Sequence, residues 1–276
     1  MKLVVKFAGA LLEEDRTVRL LSGQVAALAE EGHQILVVHG GGRIFTATLK
    51  RMGIESRFVA GLRVTDRETR DAAVMVFAGL LSKRLAAAIS AAGAPAIGIS
   101  AADGHCFRAE PLVHNEVAGS LGYVGYLTGA DTRLLEALWR ERLVPVAACL
   151  GLGPDGELYN INADHMAAAS AEYLAADQLV YLTDVDGVLA DGAVLASVAA
   201  GEIGTLVERK TVTGGMVLKL EAAKRALAGG VGSVHIVGGG VPGALLAAVA
   251  GAGHSAALPG TRVLRDAAGM AALSAA

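Results

Sequence analysis

Lys6 and Lys219 lie far apart in this 276-residue chain, yet each stands close to glycine: Gly9 after the first, Gly214-Gly215 before the second. A third glycine cluster, Gly40-Gly41-Gly42, closes an apolar run between them. Glycine lets the main chain approach an anion closely and aim several N–H groups at it, while a lysine adds a full positive charge. The combination suits phosphate. Together with Asp164 in Asn160-Ile161-Asn162-Ala163-Asp164, these residue types point to phosphoryl transfer onto a small carboxylate.

Residues so far apart need a fold that gathers them. Short β-branched runs alternate with long alanine- and leucine-rich amphipathic stretches, the βαβ rhythm of a mainly parallel sheet covered by helices, so the fold class is α/β. Leu3 to Phe7 reads as the first strand, Glu13 to Glu31 as a helix, and Ile35 to His39 as the second strand, running into the three glycines. Both glycine clusters then sit at strand C-termini, where open α/β sheets bind ligands against helix N-termini. A long helix is expected from Asp66 to Ala92, and strands at Ala96 to Ser100, Val144 to Leu150, Gln178 to Thr183 and Ser233 to Val237. Helices are expected at Asp131 to Arg142, at Ala163 to Ala175, after Thr213-Gly214-Gly215 and from Pro242. Ala101 to Thr128 carries Gly104, Gly119, Gly122 and Gly125 among short apolar runs and reads as hairpins laid over one end of the sheet, a lid over substrate. Gly151-Leu-Gly-Pro-Asp-Gly156 matches a dinucleotide fingerprint in letters only. Pro154-Asp155-Gly156 is turn chemistry, and the following residues read as a strand where that fingerprint needs a helix.

Composition narrows the partners. An apolar fraction of 53% allows a large core, and a formal charge of -3 lacks the basic excess that nucleic-acid binders use. Small molecules are the expected partners, with no nucleic acid and no membrane. Two cysteines, Cys106 and Cys149, have neither disulfide-framework nor zinc spacing. His105 beside Cys106 and His165 beside Asp164 lack partners at ligand spacing, so no protein-held metal is expected. His39 is read as packing beneath the glycine loop. The N-terminal residues enter a strand without a signal-peptide pattern, and no uninterrupted apolar run approaches membrane-spanning length, so the expected location is the cytoplasm. The Ala-, Gly- and Ser-rich tail after Arg265 is expected to be poorly ordered.

Val4-Val-Lys-Phe-Ala-Gly9, His39-Gly-Gly-Gly42, Gly61-Leu-Arg-Val-Thr-Asp66, Asn160 to Asp164, Leu182-Thr-Asp-Val-Asp-Gly187 and Gly214-Gly-Met-Val-Leu-Lys219 occur in that order. In this set and order the chain resembles the N-acetylglutamate kinases of the amino-acid kinase family. The resemblance implies a three-layer α/β/α sandwich around a mainly parallel open sheet. It also implies transfer of the ATP γ-phosphoryl group to the side-chain carboxylate of N-acetyl-L-glutamate, in arginine biosynthesis. By the same resemblance, residues 1–175 form an acceptor-binding lobe with the dimer helix and lid, and residues 176–276 an ATP lobe. Lys6 and Lys219 are implied to stabilise the transferring group, with Asp164 orienting both and keeping them protonated. Gly9 and Gly40 fall to phosphate, and Gly41, Gly42, Arg63 and Asn160 to the acceptor. Asp184, Val185, Asp186, Gly187, Val188 and Leu189, with Thr211, Val212 and Thr213, fall to ATP. Magnesium is expected with ATP, held mainly by phosphate oxygens.

A carboxylate acceptor is ionised at neutral pH and needs no general base, so cations and N–H donors should dominate such a site. One departure bears on rate: Ala8 stands where the family usually has glycine. If that position needs a positive φ, alanine costs about 1 kcal/mol and crowds the phosphate; if φ is negative, little is lost. Arginine-sensitive members carry an extra helix before the first strand, which this sequence lacks, so the expectation is a homodimer, through the long helix after Asp66, that arginine does not inhibit. Two alternatives stand beside this reading: a kinase for another N-acylated acidic amino acid, and a non-catalytic protein that binds ATP or an amino acid.

Overall fold

The computed structural model of the chain describes residues 1–59, 61–113, 121–251 and 259–266. The expected disorder of the tail beyond 266 and the part of the expected lid at 114–120, with Gly119, lie outside the described residues.

One sheet carries β1 Lys2–Phe7, β2 Gln34–His39, β3 Ala96–Ile99, β4 Val144–Ala148, β5 Gln178–Thr183, β6 Ser197–Ala199, β7 Ser233–Gly238 and β8 Thr261–Leu264. Their spatial order is β6-β8-β7-β5-β1-β2-β4-β3. Every neighbouring pair is parallel except β7 and β8. The central strands β1, β2, β5 and β7 are buried along almost their whole length, as strands covered on both faces must be, and this is why their sequences run apolar rather than alternating. Helices cover both sides. Helix α1 (Asp15–Glu30) packs against the end of the long helix α3 (Arg67–Ala91) and, with α2 (Gly42–Arg51) following β2, frames the glycine loops. After α4 (Arg133–Arg140), helix α5 (Ala163–Tyr173) packs on β1 and on the helix Gly215–Ala228.

The long helix begins one residue later than expected because Asp66 is its cap, accepting the Thr69 N–H at 2.8 Å. It widens to π-type turns over Val74–Leu81. Its 25 residues have a mean hydropathy of 1.7 over the most apolar window, long and apolar enough to cross a membrane by length and composition alone, although Asp71, Lys83 and Arg84 keep its uninterrupted apolar run short. Half of that window is buried, with Phe77 and Leu81 in the core, as in a half-buried core helix.

The expected hairpins over the sheet end are part of a small closed barrel. Strands Phe107–Pro111 and Val124–Ala130 form a hairpin, but Leu150–Leu152 and Leu158–Ile161, from later in the chain, close it. The strand expected at Val144 to Leu150 is therefore two, parted at Cys149. Several glycines read as turn residues serve close packing instead. A Cβ on Gly125 would lie 2.8 Å from the Glu110 carbonyl oxygen, and one on Gly151 would lie 2.4 Å from the Ala109 Cβ. The Gly151 to Gly156 run is the hairpin its turn chemistry suggested, with the Gly156 N–H donating to the Gly153 carbonyl at 3.1 Å and Leu152 paired antiparallel with Leu158.

Candidate active site

β1, β2 and β5 are adjacent and parallel, so their C-terminal ends open on one edge. Lys6, in register with Val38 and Tyr181, is the penultimate residue of β1. The chain then passes Ala8 and turns at Gly9 into a short 3₁₀ segment. Ala8 has φ of -64° and ψ of 143°, ordinary extended backbone, so the alanine carries no strain there. Its N–H donates to the Leu182 carbonyl at 2.9 Å and is committed to the sheet rather than aimed at a ligand. Gly9 packs on the second glycine loop: a Cβ there would sit 3.0 Å from both Cα and N of Gly41 and 3.1 Å from N of Gly42. Gly40 meets Ala163, whose Cβ would be 3.2 Å from an added Cβ, and a Cβ on Gly41 would strike Leu81 at 2.2 Å. These contacts bring the ends of β1 and β2 and the start of α5 together. Helix α2 starts at Gly42 with no side-chain cap, which leaves its first-turn N–H groups for an anion.

The three charged residues expected to act together do meet. Lys6 Nζ lies 2.7 Å from Asp164 Oδ1, and Lys219 Nζ donates to the same oxygen at 2.8 Å. Both lysine side chains are 7% exposed and the aspartate 13%. Asp164 is placed by the start of α5, where the Asn162 side chain caps the helix by accepting the N–H groups of Asp164 at 2.9 Å and His165 at 3.2 Å. Lys219 is placed by the helix Gly215–Ala228, which starts after Gly214 at φ of 56°, a left-handed conformation glycine adopts without strain. Burial pushes the Asp164 carboxyl up, but the two ammonium groups outweigh it and hold its pKa at about 2. Lys219 is lowered to about 8, by burial first and by Lys6 second, against the pull of Asp164. The aspartate therefore offsets only part of the cost of keeping Lys219 charged.

Tyr181, on β5, completes this cluster. Lys219 Nζ lies 4.9 Å from the centre of its ring, and its hydroxyl donates to the Asp164 carbonyl at 3.1 Å. Sequence reasoning missed Tyr181 and Asn162. The signals were present: Tyr181 lies in a strand flanking that of Lys6, and an Asn two residues before an Asp at a helix start is a capping pattern.

Arg63 sits on the short strand Leu62–Arg63 with its guanidinium between two rings, 4.9 Å from the centre of Phe45 and 4.5 Å from that of Phe58. It donates to the hydroxyls of Ser56 and, at 2.7 Å, of Thr46. Burial lowers its pKa without threatening its charge. Thr65, also missed, joins the two expected acceptor residues: its hydroxyl donates to the Arg63 carbonyl at 2.9 Å and accepts from Asn160 Nδ2 at 3.2 Å.

The turn after β5 divides by burial. Asp184, Val185, Asp186 and Leu189 are exposed, whereas Gly187 and Val188 are buried, and the Val188 N–H donates to the Thr261 hydroxyl at 2.8 Å. Before the helix Gly215–Ala228, Thr213 is exposed, Thr211 half-buried and Val212 buried. Val188 and Val212 thus have side chains in the core, while Asp184, Val185, Asp186, Leu189 and Thr213 expose theirs. His39 is fully buried, shares a hydrogen bond of 2.9 Å with the Gly40 carbonyl and is pushed down to about 4 by burial, so it is neutral at physiological pH. Burial pushes both cysteine thiols up to about 12, which keeps them from acting as nucleophiles. Among the described residues no group of three His, Cys, Asp or Glu side chains could hold a metal ion. Asp164 is itself committed to two ammonium groups.

Residues 1–238 match the model of the amino acid kinase family. The acetylglutamate kinase of Koribacter versatilis is 50% identical over 240 residues, which cover 86% of this chain and 90% of that protein. That of Solibacter usitatus is 44% identical over 252 residues, covering 91% and 96%. Among solved structures, N-acetylglutamate synthase from Neisseria gonorrhoeae, complexed with coenzyme A and N-acetyl-glutamate, superposes with a TM-score of 0.83 at 27% identity, over 96% of this chain and 60% of that longer one. By its sequence, its sheet order and the glycine loops around its paired lysines, this chain belongs to the amino acid kinase family.

Proposed function

We propose that the protein is an acetylglutamate kinase, transferring the ATP γ-phosphoryl group to the side-chain carboxylate of N-acetyl-L-glutamate. The observation that carries the reading is the pair of buried ammonium groups on one carboxylate oxygen, at the strand ends where the glycine loops meet. A nucleophile and an electrophile that are both anionic need positive charge between them, and this site supplies it. An oxygen of the acceptor carboxylate attacks the γ-phosphorus, an acyl-phosphate bond forms, and the bond to the β–γ bridging oxygen breaks with its electron pair leaving on ADP. Lys6 and Lys219 neutralise the equatorial oxygens as charge spreads onto them, and Asp164 fixes where both ammonium groups point. No proton has to be removed from the nucleophile, which agrees with a neutral, hydrogen-bonded His39.

Gly9, Gly41 and Gly42 supply close approach and N–H groups, and Gly40, whose N–H donates to the Phe7 carbonyl at 3.4 Å, supplies close approach to phosphate; Arg63 takes the acceptor's α-carboxylate through its planar fork, and Asn160 hydrogen-bonds the same molecule. The exposed residues of 184–189 and 211–213 receive ATP. Among the described residues the donor set does not fit a protein-held magnesium cage, so the ion would travel on the nucleotide phosphates, where it would neutralise charge. Residues 1–175 then form the acceptor lobe and 176–276 the ATP lobe of a cytoplasmic enzyme. A homodimer through α3 is supported by Met75 and Leu80, which are 57% and 54% exposed on that helix. Light scattering of the protein and of Leu80→Glu tests it, with a dimer expected for the first and a monomer for the second.

The reaction is tested by trapping acyl phosphate with hydroxylamine in the presence of ATP and magnesium, offering N-acetylglutamate, glutamate and N-acetylaminoadipate in turn. Product from N-acetylglutamate that is lost in Lys6→Ala is expected. ATP binding with no product from any acceptor would overturn the assignment.

A further inference from the structure

We infer that Arg43 is a third cation of the phosphoryl-transfer site, held between two carboxylates until ATP arrives and then passed to the nucleotide phosphates. The inference rests on the kinase reading above and adds a residue to it. Arg43 is the second residue of α2, immediately after the glycine loop. Its guanidinium lies 3.7 Å from Glu13 Oε1 and 3.9 Å from Asp184 Oδ2. Those partners come from different places: Glu13 from the segment that follows Gly9, and Asp184 from the turn after β5. One exposed side chain thus spans three segments that border the phosphate-binding edge.

The quality of these contacts argues against a structural tie. Both are longer than a hydrogen-bonded ion pair, and Arg43 is 71% exposed, in contrast to the tight, buried lysine pairs on Asp164. Exposed pairs of that kind hold little. A guanidinium at the mouth of an uncapped helix N-terminus has a better partner in a polyphosphate, which offers paired oxygens and more negative charge than either carboxylate. When Arg43 moves to the phosphates, Asp184 is released within the turn assigned to ATP. Glu13 then acts as a competitor for Arg43, which yields an effect of unusual sign.

The test measures steady-state kinetics with ATP and N-acetylglutamate for the full chain, Arg43→Ala, Arg43→Lys, Glu13→Gln and the Arg43→Ala/Glu13→Gln double variant. Arg43→Ala should raise KM for ATP about tenfold with little change in KM for the acceptor, and Arg43→Lys should recover part of that loss. Glu13→Gln should lower KM for ATP about two- to threefold, and this gain should vanish in the double variant. If Glu13→Gln raises KM for ATP, or if its gain persists without Arg43, the pairs are structural or the effect is a general field, and the inference fails. An unchanged KM in Arg43→Ala also overturns it. Absence of turnover in the unaltered protein would instead strike the kinase reading itself, so the two failures are distinguishable.

Discussion

Replacing Asp164 by Asn removes the one negative charge shared by two buried ammonium groups while keeping the size of the side chain. At 2.8 Å from Lys219 the carboxylate's attraction is about 6 kcal/mol for an effective dielectric near 20, equivalent to roughly four pKa units. That is an upper bound, because the amide retains an oxygen that accepts a hydrogen bond and water enters the site. A drop of about one to two units is the expected residue of these effects. Lys219 starts at about 8 with the aspartate present, because burial and Lys6 both lower it. Without Asp164 it should lose its proton near or below neutrality. The assay is kcat/KM for N-acetylglutamate, measured by coupled ADP release from about pH 6 to 9.5, which reports the free enzyme's groups. The unaltered enzyme should lose activity above about pH 8, since the charged lysine is the working form. Asp164→Asn should move this alkaline limb to lower pH and cost about 100- to 1000-fold at pH 8. Lys6→Ala should move the same limb upward, because it removes a like charge beside Lys219. Asp164→Asn with a uniform loss of rate and an unmoved alkaline limb would refute the argument that the carboxylate governs lysine protonation.

Further outcomes follow from neighbouring geometry. Lys6→Ala should lower kcat about 100- to 1000-fold while leaving KM for the acceptor nearly unchanged, and it should destabilise less than Asp164→Ala, which strands two buried cations; thermal melts decide the order. Arg63→Lys loses the fork and the place between Phe45 and Phe58, so KM for N-acetylglutamate should rise about 10- to 100-fold with KM for ATP unmoved. Ala8→Gly should lower stability by about 0.4–1 kcal/mol in urea unfolding and bring no gain in rate, because φ is already -64° and the N–H is held by Leu182. Stability from the Asp164 carboxylate, whose folded pKa is depressed to about 2, should be present above the ordinary carboxylate range and fall away as pH drops through that value, which acid unfolding of Asp164→Asn against the unaltered chain measures.

Much of the sheet could be read from the chain because its central strands are buried on both faces and so run apolar, three of them ending on glycine or a polar residue, His39, Thr183 and Gly238. The barrel could not be read in the same way. Its closure depends on Gly125 and Gly151 letting strands from distant parts of the chain approach, and a glycine required for closeness has the same letter as a glycine required for a turn. The short strands β6 and β8, with Ser197–Ala199 only three residues long, gave no pattern to distinguish them from loop. At the site, Lys6, Asp164 and Lys219 were legible because a family order marked them, and the structure joins them on one oxygen. What stayed hidden were residues whose partners come from elsewhere in the chain: Tyr181 under Lys219, Thr65 between Arg63 and Asn160, and Arg43 between Glu13 and Asp184. Their roles are pairwise and arise only once β5, the Arg63 loop and α2 are brought to one edge. The same reasoning explains the charge balance of the site. Two cations on one carboxylate leave a single net positive charge at the reaction centre, too little for a polyphosphate and an acceptor carboxylate together. Magnesium carried on the nucleotide and Arg63 at the acceptor would supply part of the remaining charge, and an exposed arginine loosely held by two carboxylates can be released at small cost to supply more.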